Sequence, residues 1–290
     1  MKRIVLRAAA KLNFSLDILG KRADGYHLMD MVMQTVNLYD EAEMEKAPEI
    51  TVFSDAAGVP DGPSNLAWKA AAAFFRDTGL PDGVSIRLKK RIPSQAGMAG
   101  GSADAAAVLA GLNELYGAGL SMAQLQKTGL SVGADVPYCL IGGTARVRGI
   151  GERVEPMPQM REGFLVIVKP PAGISTAEAF RRFDAANGLC RPDNPRLLEV
   201  MAAGRLRELE RYMENVLEQS EQNPDVADAA RALRENGALA AQMTGSGSAV
   251  FGVFAEKAAA EACAERLRGK GRQAFLTQPV SKGVEILRLE

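Results

Sequence analysis

From Lys11 to Ile18 the chain alternates strictly: Leu12, Phe14, Leu16 and Ile18 are apolar, while Lys11, Asn13, Ser15 and Asp17 are polar. A period of two predicts a half-buried strand with its four polar side chains on one face, so Lys11 and Asn13 point the same way. A turn-rich break spans residues 20–25, and an extended pattern resumes over 29–36. Short strands are predicted near 50–53 and 84–88. An Ala-rich helix lies between them at 66–75, with Ser64 and Asn65 available as caps. A Gly-rich loop then leads into a long apolar helix over 102–115, and Ser121 caps the next one.

Strands near 144–148 and 164–169 bracket a Pro-containing stretch at 155–158. The domain boundary is placed there, giving residues 1–154 and 155–290. The second half alternates helices near 177–183, 195–201, 206–217, 226–234 and 258–267 with strands near 249–254, 273–276 and 284–289. Strands and helices do not alternate as regular βαβ units. The pattern therefore predicts an α+β protein of two domains rather than a doubly wound sheet.

Composition narrows the function. The length of 290 residues fits about two domains. Lys plus Arg number 35 and Asp plus Glu number 35, so the net charge is zero. A nucleic-acid binder carries a basic excess to neutralise phosphates, and this chain has none. Any phosphate site is therefore expected to be local and built mainly from backbone amides. Cys139, Cys190 and Cys263 are far apart and in no metal-ligand spacing, as expected of core residues in a reducing compartment. The basic N-terminus is interrupted by Arg7 and Lys11, which makes a poor signal peptide. No apolar run approaches the roughly 18 residues that span a bilayer. A soluble, cytoplasmic protein with no membrane or nucleic-acid partner is expected.

The most informative segment is Pro93-Ser94-Gln95-Ala96-Gly97-Met98-Ala99-Gly100-Gly101-Ser102-Ala103-Asp104, which runs directly into an Ala-rich helix. A loop without side-chain bulk ahead of a helix lets a phosphate reach unpaired N–H groups and the positive end of the helix dipole. Ser102 can add a hydroxyl to a phosphate or to Mg²⁺. Read alone, the segment is equally a strand-to-helix connection capped by Ser102 or Asp104. It contains no Gly-x-x-x-x-Gly-Lys-Ser/Thr string, and the chain has no His-Arg-Asp or Asp-Phe-Gly, which excludes Walker-type and protein-kinase sites. Three other pieces are bland in isolation. Asp135, in Gly133-Ala134-Asp135-Val136-Pro137, reads as a helix cap or turn carboxylate. The stretch Met243-Thr244-Gly245-Ser246-Gly247-Ser248-Ala249 reads as a turn before a strand, and His27, the only histidine, as a structural or surface residue.

Together these pieces resemble the GHMP kinase superfamily. Pro-x-x-x-Gly-x-x-Gly-Gly-Ser is similar to its phosphate loop, with Ala99 and Ala103 where relatives often have Gly and Ser. Backbone donation survives both changes, but a second hydroxyl contact at 103 does not. Ala10-Lys11-Leu12-Asn13-Phe14 resembles the first motif, with Ala9 where Pro is common, and the turn at 243–249 resembles the third. Gly20-Lys21-Arg22-Ala23-Asp24-Gly25-Tyr26-His27 resembles the branch acting on 4-diphosphocytidyl-methylerythritol, and mevalonate and homoserine kinases lack it.

The resemblance implies a two-domain fold with an N-terminal ATP-binding domain and a C-terminal substrate domain. It implies transfer of the γ-phosphoryl of ATP, with Mg²⁺, to the 2-hydroxyl of a cytidine diphosphate substrate of isoprenoid precursor synthesis. The loop from Pro93 to Ala103 would hold the triphosphate. Asp135 would take the hydroxyl proton or orient that oxygen, and Lys11 would keep Asp135 ionised and neutralise charge. Tyr26 would stack on the cytosine and His27 would bond its edge, with Asn13 also in the substrate site. Ser175, Thr176 and Phe180 would line the methylerythritol side. No acidic metal ligand is evident.

Overall fold

The alternating stretch lies inside a strand more than twice its length, β1 (Arg3–Lys21), which turns back into an equally long β2 (His27–Lys46). The structure, a computed structural model, describes residues 3–81 and 83–290. After β3 (Ile50–Ser54) comes α1 (Leu66–Thr78), whose Ala67 N–H donates to the capping side chain of Asn65. β4 (Val84–Lys89) leads through the Gly-rich loop to α2 (Gly100–Tyr116). Ser121 and Gln124 form a capping box at α3 (Met122–Val132). Short α4 (Val136–Ile141), β5 (Thr144–Gly149) and β6 (Arg153–Pro156) complete the first half.

The second half runs β7 (Phe164–Lys169), α5 (Thr176–Ala185), α6 (Asn194–Ala202), α7 (Val216–Gln219) and α8 (Pro224–Glu235). It ends with β8 (Ala240–Met243), β9 (Val250–Phe254), α9 (Lys257–Gly269), β10 (Gln273–Thr277) and β11 (Val284–Leu289). Among the described residues the strands form two sheets, of seven and four strands. The first has the order β11-β1-β2-β4-β3, with β5 and β6 branching from β2; the second is β10-β7-β9-β8. The residue 154/155 division falls within β6, and β11 returns from the second half to pair with β1. No described helix is long and apolar enough to cross a membrane.

The half-buried expectation for β1 is corrected. Leu12, Phe14, Leu16 and Ile18 are buried, but so are Lys11, Asn13, Ser15 and Asp17. The second half of the chain covers the polar face. The Asn13 N–H donates to Thr244 Oγ1 (3.0 Å), Ser15 Oγ to Asn194 Oδ1 (2.5 Å), and Arg191 pairs with Asp17 (2.5 Å). Alternation reports two chemically different faces; it does not say that the polar one meets water. Phe14, at a bulge in the β1–β2 pairing, packs against Phe251 of β9, ring centroids 5.1 Å apart. Burial of a side chain this size stabilises by roughly 1.5–3 kcal/mol.

Two further expectations are corrected, and three short elements went unread. Residues 206–217 are not one helix: a 3-10 turn, Leu206–Arg211, is followed by extended chain before α7. The Glu214 carbonyl accepts from Leu16 N–H and extended Asn215 caps α7, so the backbone there cannot continue a helix. Neither Ser102 nor Asp104 caps α2. Its cap position is Ala99, in the left-handed region, and the helix begins at Gly100. Strands β6 and β8 and helix α4 are too short, at four to six residues, to leave a readable period.

Candidate active site

Packing β1 against the second half leaves a cavity of about 1350 Å³ where the two meet. Its walls carry Lys11 and Asn13 from β1, the Gly-rich loop, Asp135, the Tyr26–His27 turn, the start of α5 and the 245–247 turn. Every residue assigned from sequence to catalysis, ATP or substrate lines it except Ala103. That residue is fully buried in α2, and its N–H donates to the Ala99 carbonyl (2.9 Å), so it offers a phosphate nothing.

At the centre, Lys11 Nζ donates to Asn13 Oδ1 (2.6 Å) and lies 3.8 Å from Asp135 Oδ2. The Lys11 side chain is only 5% exposed, whereas that of Asp135 is 31% exposed. Asp135 stands at the cap position of α4, yet its side chain makes no capping bond. The carboxylate is thus aligned with Lys11 and otherwise uncommitted.

The Gly-rich loop is locked to β1 and to the turn before β9. Lys11 N–H donates to Met98 O (3.2 Å), Thr244 Oγ1 to Gly97 O (3.3 Å), and Ala249 N–H to Ala96 O (3.3 Å). A side chain at Gly97, whose φ is +71°, would put Cβ 2.0 Å from the Thr244 carbonyl oxygen. At Gly245 it would lie 2.7 Å from the Gly97 carbonyl oxygen and 3.1 Å from Lys11 Nζ. These approaches require glycine. Gln95 and Ala99 also hold positive φ, at 50° and 58°. Each such residue costs roughly 1–3 kcal/mol, held in place by the surrounding bonds. The N–H groups of Gly100, Gly101 and Ser102 take no acceptor among the described residues. They form an anion-binding end on a 17-residue helix.

Beside the loop is a cluster that sequence reasoning missed. Buried Lys90 bridges Asp40 and Asp104, its Nζ 2.5 Å from Asp104 Oδ2. Burial pushes the Asp104 carboxyl up to about 7, with Lys90 opposing the rise and Asp40 adding to it. Burial also disfavours the Lys90 ammonium, but the two carboxylates outweigh it and hold its pKa above the ordinary value. Asp104 Oδ1 is buried without a partner among the described residues. In the run Lys89-Lys90-Arg91, Lys90 looks like an ordinary exposed cation.

At the far end Tyr26 is 61% exposed on the cavity wall. The ring of His27 stacks on Phe180, with centroids 4.7 Å apart at 26°, and meets Phe183 edge-on at 6.2 Å. Phe180 thus stands with His27. Thr176 Oγ1 lies 3.0 Å from Ser246 Oγ, while Ser175 occupies the α5 cap position without a side-chain capping bond. Two positioning side chains carried no sequence signal. Asn215 donates to the carbonyls of Met243 and Gly245 (both 2.9 Å), and Asp184 is bonded to His27. Among the described residues no group of three or more His, Cys, Asp or Glu could hold a metal ion.

Loops that present backbone amides and a Lys–Asp pair in one large cavity define a small-molecule phosphotransferase, and the comparisons with known proteins agree. The family model for the GHMP kinases N terminal domain matches residues 65–143, and that for GHMP kinases C terminal matches 197–273. A relative from Carboxydothermus hydrogenoformans, named 4-diphosphocytidyl-2-C-methyl-D-erythritol kinase, is 42% identical over 290 residues, 99% of this chain and 100% of its own. One of the same name from Clostridium tetani is 40% identical over 278 residues, 95% of this chain and 99% of its own. A crystal structure of 4-(cytidine 5'-diphospho)-2C-methyl-D-erythritol kinase superimposes with a TM-score of 0.80 at 32% identity, covering 96% of this chain and 99% of its own. Homoserine kinase from Cytophaga hutchinsonii, at TM-score 0.77 and 18% identity over 98% and 97% of the two chains, shares the fold. The chain belongs to the GHMP kinases, and within them to the 4-diphosphocytidyl-2-C-methyl-D-erythritol kinase family.

Proposed function

We propose that the chain transfers the γ-phosphoryl group of ATP to the 2-hydroxyl of 4-diphosphocytidyl-2-C-methyl-D-erythritol, in the cytoplasm, in the non-mevalonate route to isoprenoid precursors. The observation that carries this reading is the Lys11–Asp135 pair, 3.8 Å apart, in one cavity with both the free amides of α2 and the Tyr26–His27 turn. Phosphoryl transfer asks for positioning and charge stabilisation more than for covalent help. The N–H groups at the start of α2 hold the triphosphate, and Asp135 accepts the hydroxyl proton as that oxygen attacks. Lys11, fixed by Asn13, neutralises charge on the transferring group. Tyr26 and His27 take the cytosine. Because Phe180 stacks on His27, its ring belongs with the base rather than with the methylerythritol side. Ser175 and Thr176 face the methylerythritol.

Mg²⁺ fits this arrangement as a companion of ATP. It binds largely through phosphates and water with one or two protein oxygens, and Ser102 and Asp135 both bring oxygens to the cavity. It supplies neutralising charge on the phosphates. Residues 1–154 carry the ATP side together with Asn13, Tyr26 and His27 of the substrate side, and 155–290 bring Ser175, Thr176 and Phe180 to it. The test is ADP release with ATP and Mg²⁺ and each candidate acceptor. Turnover with the cytidyl substrate and none with homoserine or mevalonate is expected. Comparable turnover with either of those acceptors, or none with the cytidyl one, overturns the reading.

A further inference from the structure

Both ends of the Gly-rich loop are fastened to one buried carboxylate. Asp40 of β2 is 1% exposed. Its Oδ1 accepts from the N–H groups of Arg91 (2.5 Å) and Ile92 (2.8 Å), where β4 gives way to the loop. Its Oδ2 accepts from Lys90 Nζ, which also donates to Asp104 Oδ2 of α2 (2.5 Å). Residues 90, 91 and 92 are thus all held by one side chain, and Lys90 reaches across to the helix at the loop's far end. The contact carries on to the anion-binding amides. A Cβ built on Gly100 would lie 3.1 Å from Ile92 Cγ2 and 3.5 Å from Lys90 Nζ, so two residues that Asp40 holds pack against the one that begins α2.

Stability alone does not call for this arrangement, because replacing buried charges by apolar residues of similar volume is often neutral or stabilising. What the charges add is direction. A binding constellation must be held to about 0.5 Å by the residues behind it, and a loosely supported site loses affinity. We propose that Asp40 is a positioning residue for the nucleotide: through Lys90 and Ile92 it sets where the free N–H groups of Gly100, Gly101 and Ser102 point, and so sets affinity for the triphosphate. The inference rests on the reading that this loop holds ATP. Lys90 lines the cavity, but its ammonium faces two carboxyl groups, so it braces the loop without bringing surplus positive charge to it.

Two substitutions test this. Asp40→Asn and Asp40→Ala both leave Lys90 paired with Asp104, so no buried charge is stranded and the variants should fold. Asn keeps an oxygen for the Arg91 and Ile92 amides and loses the bond to the ammonium, whereas Ala loses both. Binding of a non-hydrolysable ATP analogue with Mg²⁺, measured by calorimetry, is expected to weaken roughly tenfold in Asp40→Asn and by more in Asp40→Ala. The KM for ATP should rise in the same order, with the KM of the cytidyl substrate near wild type. Thermal melts show which variants are folded, and Asp40→Asn decides alone if Asp40→Ala is not. Wild-type affinity for the analogue in folded Asp40→Asn, or equal rises in the KM of both substrates, overturns the proposal and leaves the kinase reading standing. Loss of the fold in Asp40→Asn as well makes Asp40 a structural residue and overturns it too. Failure of the wild type to bind the analogue overturns the kinase reading and this inference with it.

Discussion

An aspartate directly ahead of a helix ordinarily spends its carboxylate on that helix's free N–H groups. Asp135 does not: its side chain caps nothing and stands 3.8 Å from Lys11. Asn caps nearly as well as Asp, so Asp135→Asn separates the two roles. With Asp135 as the proton acceptor, kcat should fall by about two to four orders of magnitude while both substrate affinities change little. Single-turnover transfer at saturating substrates measures this. A rate within severalfold of wild type would make Asp135 structural. At this scale the sequence was informative where neighbours in the chain are neighbours in space. The alternation in β1 puts Lys11 beside Asn13, and their 2.6 Å hydrogen bond follows. The approach of Asp135 to Lys11, or of Asp184 to His27, follows from no local rule. Both were reached by resemblance or only from the structure.

Two turns, rather than two side chains, form the phosphate end. The Gly-rich loop and the 243–249 turn exchange backbone hydrogen bonds at distances that leave no room for a Cβ at Gly97. Gly97→Ala must therefore both strain a positive φ and push the Thr244 carbonyl away. Gly101→Ala meets only the Leu66 side chain, Cδ1 at 3.2 Å and Cγ at 3.8 Å, whose end can give. Gly97→Ala is expected to weaken binding of a non-hydrolysable ATP analogue by roughly tenfold or more and to cost about 1–3 kcal/mol of stability. Gly101→Ala should do less on both counts. Calorimetric titration and thermal melts compare them, and equal losses would mean that the interlock does not set the loop's shape. Glycine spacing revealed the loop but not its partner. It also placed the start of α2 too late, because a left-handed alanine at the cap runs against propensity and is held by tertiary bonds. The broken helix at 206–217 has the same origin: an apolar period is overridden where β1 takes the Glu214 carbonyl.

For the whole molecule, the Pro-containing stretch at 155–158 marks where the chain leaves the first sheet, but a strand pattern does not name its partner. The return of β11 to β1 was therefore invisible. Equally invisible behind a net charge of zero was the buried Asp40–Lys90–Asp104 cluster, in which two carboxylates share one ammonium. Its consequence is a pH dependence of stability. Asp104 has an ordinary value of 3.8 and a folded one of about 7. Between those values the unfolded chain has released a proton that the folded chain still holds. Its contribution to stability is therefore complete below pH about 4, falls as pH rises to about 7, and is gone above that. The depressed carboxyls of Asp55, Asp77 and Asp228 act in the opposite sense, and only at acid pH below that window. Asp104→Asn keeps an acceptor for Lys90 and removes the titration. The variant is expected to lose less Tm than the wild type between pH 5 and 8 and to melt at or above it at pH 8. Parallel Tm curves across that range would mean that Asp104 is already ionised at pH 5, with Lys90 shared between two charged carboxylates throughout.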